Sequence, residues 1–399
     1  MDDLQEMSGL GSPENSGSGN ISIDDFKKAY GEDFSKTIDI DTWRIGENLA
    51  ELYPLIEKEL IQARKDEVKN HHTFRDTIFP KIKELKHVPN AGLHSIVENK
   101  EIIEKIHRGF LFNGAVTACG SVSAVYDSVP ISITQIGICL INYDKQYGSY
   151  SHRLFRRDLH FKSDDPIREA IELIERRKGN NVDGENRGQL SALAVRGIKT
   201  YAERAILFEK STSRWLLGNG SPTPYELMTG FWASRKEMKD RSIALMQKMV
   251  LDHQRFVYVQ SSERTPDLWT FGNALNPYEY LVIDTLEDKL TRMVEMGGTR
   301  GEFREAYTQF AKEVGSKIAF GVYRVSRQSP PKIFYCHIDH IQTAALIAMS
   351  DSALQMHVGS PMLLDLADSF CKTAFGKADF IASIEQAYAK AEISNKIIN

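Results

Sequence analysis

Two short turns in this chain have the form of a strand tip built for chemistry. Cys119-Gly120-Ser121 sits in "VTACGSVSAVYDSVPISITQIGICLINYD", and Asn219-Gly220-Ser221 sits in "RWLLGNGSPTPYELMTG". Turns of this kind often carry Asp as their first residue; here the two positions hold a thiol and an amide. Between them lies Glu203, in "TYAERAILFEK", 16 residues before Asn219. An enzyme that cuts a phosphodiester with two metal ions needs carboxylates from separated segments gathered at one sheet edge. The ions there clamp the attacking and leaving oxygens. A helix acid beside a strand tip can meet that need. The plainer alternative for Glu203 is a surface ion pair with Lys199, four residues earlier. Asp127, Asp339 and Asp368 are further acids that a metal site could recruit. His337 and His340 flank Asp339 at the end of an apolar run, where a structural role is the commoner one. His71-His72 reads as a solvated pair. There is no GxxxxGK[ST] phosphate loop, no GxSxG elbow and no HExxH pair.

The elements around these residues mix strands and helices. "GFLFNGAVTACGS", "VPISITQIGICLINYD" and "YGSYSHRLFRRDLHF" are β-branched or aromatic runs bounded by Gly, Pro and Asp, and are predicted strands. In the second, Ile131, Ile133, Ile136 and Ile138 belong to a nearly continuous apolar run, the pattern of a strand covered on both faces. Gln135 is its polar exception and is expected to point toward the site. Helices are predicted over 164–180, 186–212 and around "RSIALMQKMVLDHQ". Strands follow in "RFVYVQSS", "YEYLVIDTLEDKL", "IAFGVYRVS" and "KIFYCHIDHI". Hairpins beside crossover helices predict an α/β layer fold with a mixed sheet. Before this core, residues 22–108 show apolar residues spaced three and four apart and are expected to form a helical arm, broken or kinked at Pro80. Residues 1–21 are small and polar and are expected to be disordered. The core domain is then 109–399.

Composition narrows the class. The chain has 399 residues and a net charge of −4, so a nucleic-acid contact must come from a local basic surface. Arg153, Arg156 and Arg157, interleaved with Phe155 and Phe161, are candidates for a phosphate-contacting rim; a solvated strand face is the equal alternative. No run of about 18 apolar residues occurs, so no membrane contact is expected. The N-terminus lacks the basic and apolar regions of a signal peptide. The four cysteines have no zinc or redox spacing and are expected to be buried thiols in a cytoplasmic protein.

In their order, "TACGS", "RWLLGNGSPTPYELMTG", "FVYVQSSERTPDLW", "PYEYLVIDTLED" and "GSPMLLDLAD" make the chain from about Phe110 onward resemble the NurA nucleases, and within them a bacterial NurA-domain branch. The resemblance implies an RNase H-like core and a Mn²⁺- or Mg²⁺-dependent DNA nuclease. It also implies a homodimer or higher oligomer and a HerA-type hexameric ATPase as partner, in DNA-end processing, DNA repair or anti-phage defence. Matched residue by residue, the family's first Asp falls on Cys119, its helical Glu on Glu203 and its second Asp on Asn219. Its late Tyr falls on Tyr335, and its late His near Asp368. The implied catalytic set is therefore Glu203, Cys119, Asn219, Tyr335 and Asp368, with Glu203 and Asp127 as metal candidates. Two of three expected metal carboxylates are replaced. A nuclease with a rebuilt site is thus expected, with a non-cutting DNA- or ATPase-binding subunit as the alternative.

Overall fold

The apolar runs flanking Cys119-Gly120-Ser121 form one continuous strand and not two strands joined by a turn, and the run before Asn219-Gly220-Ser221 is the strand paired beside it. The structure is a computed structural model that describes residues 22–43, 52–84, 88–96, 101–128, 131–157, 167–168, 171, 192–229, 236–260, 266–296 and 302–390. Among these residues the strands are β1 (Gly92–Ser95), β2 (Val116–Ser128), β3 (Ile131–Ile141), β4 (Gln146–Arg157), β5 (Trp215–Asn219), β6 (Phe256–Gln260), β7 (Glu279–Thr285), β8 (Ile318–Arg324) and β9 (Lys332–His337). They lie in the order β1-β7-β8-β9-β6-β5-β2-β3-β4. β2, β3 and β4 are an antiparallel meander, while β5 and β6 run parallel to β2. That five-strand unit is the order and direction expected of an RNase H-like core. β9, β8, β7 and β1 extend it by antiparallel pairing.

Helices cover both faces, as parallel strands require. They are α1 (Ile23–Tyr30), α2 (Phe34–Ile38), α3 (Tyr53–Thr73), α4 (Phe79–Ile82), α5 (Glu101–Ile106), α6 (Ala192–Lys210), α7 (Tyr225–Thr229), α8 (Lys236–Gln247), α9 (Pro266–Asn273), α10 (Glu287–Met296), α11 (Glu302–Gly315), α12 (Ile341–Ser352), α13 (Met362–Phe375) and α14 (Lys377–Lys390). On one face Leu207 of α6, Met246 of α8, Leu290 of α10 and Phe310 of α11 bury against Leu216, Tyr258 and Ile333. On the other, Ala344 to Met349 of α12 and Leu363, Leu364 and Ala367 of α13 bury against Val116, Leu217, Val257 and Phe334. No helix among the described residues is long and apolar enough to cross a membrane.

β3 is buried from Ile133 to Ile141, with Ile131 and Ser132 partly exposed at the outer end of the meander. Gln135 does not point to the site. Its amide donates to the Phe375 carbonyl and accepts from Arg153, which ties the end of α13 to β4. The stretch before residue 109 is not a separate helical arm along its length. Phe79 and Ile82 enter the main core, and Gly92–Ser95 is the edge strand beside β7. Pro80 does not stop the helix. α3 passes through a π turn over Phe74–Ile78 and resumes as α4 with Pro80 in its first turn, where a missing N–H costs nothing. The segment 1–21 and all but three residues of the helix expected over 164–180 lie outside the described residues.

Candidate active site

β5 pairs with β2 only from Val116 to Ala118. Beyond Ala118 the two strands part, and α13 enters the gap. Gly120 is what admits it: a Cβ there would stand 2.3 Å from the backbone carbon and oxygen of Ala367. The next residue of α13, Asp368, then accepts the backbone N–H of Ser121. From the opposite face α6 delivers Glu203, whose Oε2 accepts the Ser121 hydroxyl at 2.8 Å. Ser121 therefore holds one carboxylate with its main chain and another with its side chain. The Asn219-Gly220-Ser221 turn follows β5, with Gly220 in the left-handed region at φ 79°. Its Ser221 carbonyl accepts from the Arg204 guanidinium, which also donates to the Thr200 carbonyl.

These groups line a cavity of about 500 Å³. Cys119, Glu203, Asn219, Tyr335 and Asp368, the five positions carried over by resemblance, all lie on its wall. The Tyr335 hydroxyl donates to Gln260 at 3.0 Å. Lys199 and Lys289 also line the cavity, but Glu203 forms no ion pair with Lys199. Arg204 is 4% exposed and sits over the Tyr258 ring at 5.3 Å, and its Nε–H is buried without a partner.

The charges in the cavity are unequal. Burial, and then the Glu203 charge, raise the Asp368 carboxyl above the usual range; Lys372 and the Ser121 N–H oppose this. Burial, and then Glu203, push the Cys119 thiol well above its ordinary value. Its Sγ faces the Glu203 carbonyl at 3.6 Å, so it is a protonated, inward-turned thiol and not a metal ligand. A hard divalent cation takes anionic oxygens. The cavity wall carries three carboxylates, but Glu226 is paired with Arg196 at 3.2 Å, which leaves Glu203 and Asp368, and no described group of three His, Cys, Asp or Glu side chains could hold a metal. The donor set does not fit a two-ion centre.

Asp127 is exposed and lies eight residues along β2 from Cys119, about 27 Å of extended chain. It is not a ligand of this cavity. It stands in one cross-strand row with Ser132 and Arg156 near the outer end of the meander. Arg153 stands on the same ribbon, bonded to Gln135 and 5.8 Å from the Phe380 ring. Arg156 and Arg157 are placed by the backbone of β4 near the hairpin end. The three arginines therefore belong to a ribbon beyond the cavity and not to its rim. His337 is buried and accepts the Asp339 N–H at 3.2 Å, and the His340 ring packs near Trp215. Both are at the opposite end of the sheet, the start of β5 and the end of β9. Ser121 and Arg204 were not singled out as functional from the sequence. Ser121 stood in the Cys119-Gly120-Ser121 motif, which the structure places inside β2 and not in a turn, whereas nothing but its place beside Glu203 pointed to Arg204.

No protein-family profile matches the chain, and no curated protein is similar to it. Among solved structures, the NurA nuclease from Sulfolobus solfataricus is 10% identical over 84% of this chain and 97% of that one, with a TM-score of 0.42. A structure of NurA with manganese has 10% identity over 84% and 98%, and a TM-score of 0.37. Endonuclease V from Bacillus subtilis has 11% identity over 70% and 94%, and a TM-score of 0.27.

Proposed function

We propose that this protein is a NurA-like subunit that seats a DNA phosphate in the cavity and does not perform two-ion hydrolysis. The observation that carries the reading is Cys119, on β2 just past the point where that strand parts from β5. Cys119 is 1% exposed, protonated and turned to a backbone carbonyl, so the position that would hold a metal carboxylate holds an inert thiol. Arg204 supports the anion. Its guanidinium is buried against the cavity and its Nε–H lacks an acceptor, which a phosphate oxygen would supply. Of the cavity's acids, Glu226 is paired with Arg196 at 3.2 Å, leaving Glu203 and Asp368 against Lys199, Arg204 and Lys289. In this reading the protein works as a homodimer or higher oligomer with a HerA-type ATPase that moves DNA, in end processing or anti-phage defence. Its resemblance to the NurA family supports that part.

The test is a Mn²⁺ nuclease assay on linear DNA, with and without a HerA-type ATPase. The wild type should bind DNA and leave it intact. Cys119→Asp with Asn219→Asp should restore cutting, and adding Glu203→Gln should remove it again by ~100-fold or more. Mn²⁺ should raise the melting temperature of the restored protein more than that of the wild type. A second reading, hydrolysis through Glu203 and Asp368 alone, is favoured by their sharing Ser121. Wild-type cutting that Glu203→Gln abolishes would establish it in place of the first.

A further inference from the structure

The end of the sheet that carries the cavity continues across four more strands. β5 and β6 finish there at Asn219 and Gln260. β9 begins there, because it is antiparallel to β6; β8 ends there at Arg324, and β7 begins there at Glu279. Beside Arg324 the turn of α3 before its π bulge closes over the end of α9 and leaves a second pocket of about 280 Å³. Arg64, Glu67, Val68 and His71, at helical spacing on one face of α3, line it together with His72, Arg324 and Arg327.

The charge in this pocket is one-sided. Three arginines surround a single lining carboxylate, Glu67, while burial and then Arg75 push the His71 imidazole toward its neutral form, so that it adds hydrogen-bonding capacity and not charge. Glu67 is shared, at 2.6 Å from Arg64 and 3.9 Å from Arg324. Arg324 is a fixed charge. It is 7% exposed, and its guanidinium donates to the carbonyls of Asn273, Ser326 and Arg327. Arg327 is exposed, and its guanidinium forms no ion pair among the described residues. α3 brings no helix C-terminus here, since it runs on through the π turn into α4; the C-terminus of α9 is present, and Arg324 takes up its Asn273 carbonyl. The pocket thus has two movable guanidinium forks, Arg64 and Arg327, above a buried one. This is the chemistry that matches a phosphate oxygen pair.

We propose that the α3–β8 pocket is a second phosphate site, taking the backbone of the same nucleic-acid strand whose phosphate enters the cavity. The proposal rests on the DNA-binding reading above. Three strand steps separate β5 from β8, about 14 Å at the usual strand spacing. That is about four nucleotides at the per-strand phosphate rise of a duplex, so one strand laid along this edge reaches both sites. Arg64 and Arg327 hold the distal phosphate, and Arg324 supplies the field behind them.

The experiment is fluorescence anisotropy with a labelled single strand of about 20 nucleotides, long enough to span both sites, read over a salt series. Arg64→Gln with Arg327→Gln should weaken binding by about tenfold and lower the slope of log K against log salt by about 0.7 for the lost phosphate. Glu67→Gln, which removes the competing carboxylate, should tighten binding. Circular dichroism melts of these variants should match the wild type, because Arg64 and Arg327 are exposed. A wild type that binds while the double variant matches its affinity and slope overturns the pocket and leaves the cavity reading standing. A wild type that binds no DNA overturns both.

Discussion

Asp351 shows how one buried group can govern the approach to the site. It closes α12, its Oδ1 accepts the Tyr143 hydroxyl at 2.5 Å, and its Oδ2 accepts the Leu363 N–H at 2.9 Å in the first turn of α13. It therefore caps the helix that carries Asp368. Burial raises its carboxyl to about 6; the Tyr143 and Leu363 bonds oppose the shift, and Asp365 adds to it. The folded value lies above the unfolded value of about 3.9, so the native state binds the proton more tightly. The stabilisation from the protonated form is complete below about pH 4 and is lost as pH rises through 6. Asp351→Asn keeps an acceptor for Leu363 and an amide that Tyr143 can accept. It should be more stable than the wild type at pH 8 by on the order of 1–3 kcal/mol, with the difference shrinking toward pH 4. Urea titrations at both pH values read this directly. A difference that does not change with pH would show that Asp351 is not titrating.

At the scale of elements, the decisive contact is a helix lying on a strand without a side chain between them. Gly120 meets the Ala367 backbone, whereas a Cβ at Gly137 would meet the Phe375 side chain, also at 2.3 Å. Main chain cannot step aside alone; at Gly137 the half-buried ring can turn, but the Phe375 Cβ, 2.6 Å away, cannot, so part of the clash remains. Gly120→Ala should therefore cost about 3 kcal/mol or more and weaken DNA binding, because α13 moves as a body and takes Asp368 from Ser121. Gly137→Ala should cost less, about 1–2 kcal/mol, because only the last turn of α13 has to shift, and it should leave binding unchanged. Equal melting temperatures for the two variants would refute the account. These elements also mark what a sequence discloses. β3 was legible from a nearly continuous β-branched run bounded by Pro and Asp, and the turn after β5 from Asn219-Gly220-Ser221, whereas Cys119-Gly120-Ser121 reads as a turn and lies inside β2. The place of Asp368 was not legible, because it depends on where β2 and β5 cease to pair, a property of two distant segments. β1 was missed because "GLHS" has no β-branched residue, and the π turns at Phe74–Ile78, His107–Leu111 and Lys248–His253 have no local signature.

The whole molecule is tied together by its N-terminal third. Residues 22–43 include no buried residue among those whose side chains are described, and α1 is closed by its own caps, Ser22 and Gly31. Deleting 1–43 should leave the melting temperature within about 1–2 °C of the full chain, a change worth a few tenths of a kcal/mol. The next fifty residues behave differently. Arg75 grips Glu279 with both nitrogens, at 2.6 and 3.1 Å, and Glu279 is 5% exposed at the start of β7. Burial opposes the Glu279 charge, but Arg75 and the Asn276 N–H outweigh it and keep the carboxyl below its usual range. A chain beginning at residue 97 would leave that carboxylate buried and unpaired, at about 3–5 kcal/mol. It would also lose Phe79 and Ile82 from the core, at about 2–5 kcal/mol each, and the four register pairs of β1 with β7. The sum reaches the whole stability of an ordinary domain, about 5–15 kcal/mol. The shorter chain should therefore be unfolded or insoluble, as judged by circular dichroism and size exclusion. If it instead melts cooperatively near the full chain's temperature, residues 109–399 form an autonomous domain and the sheet does not need its β1 edge.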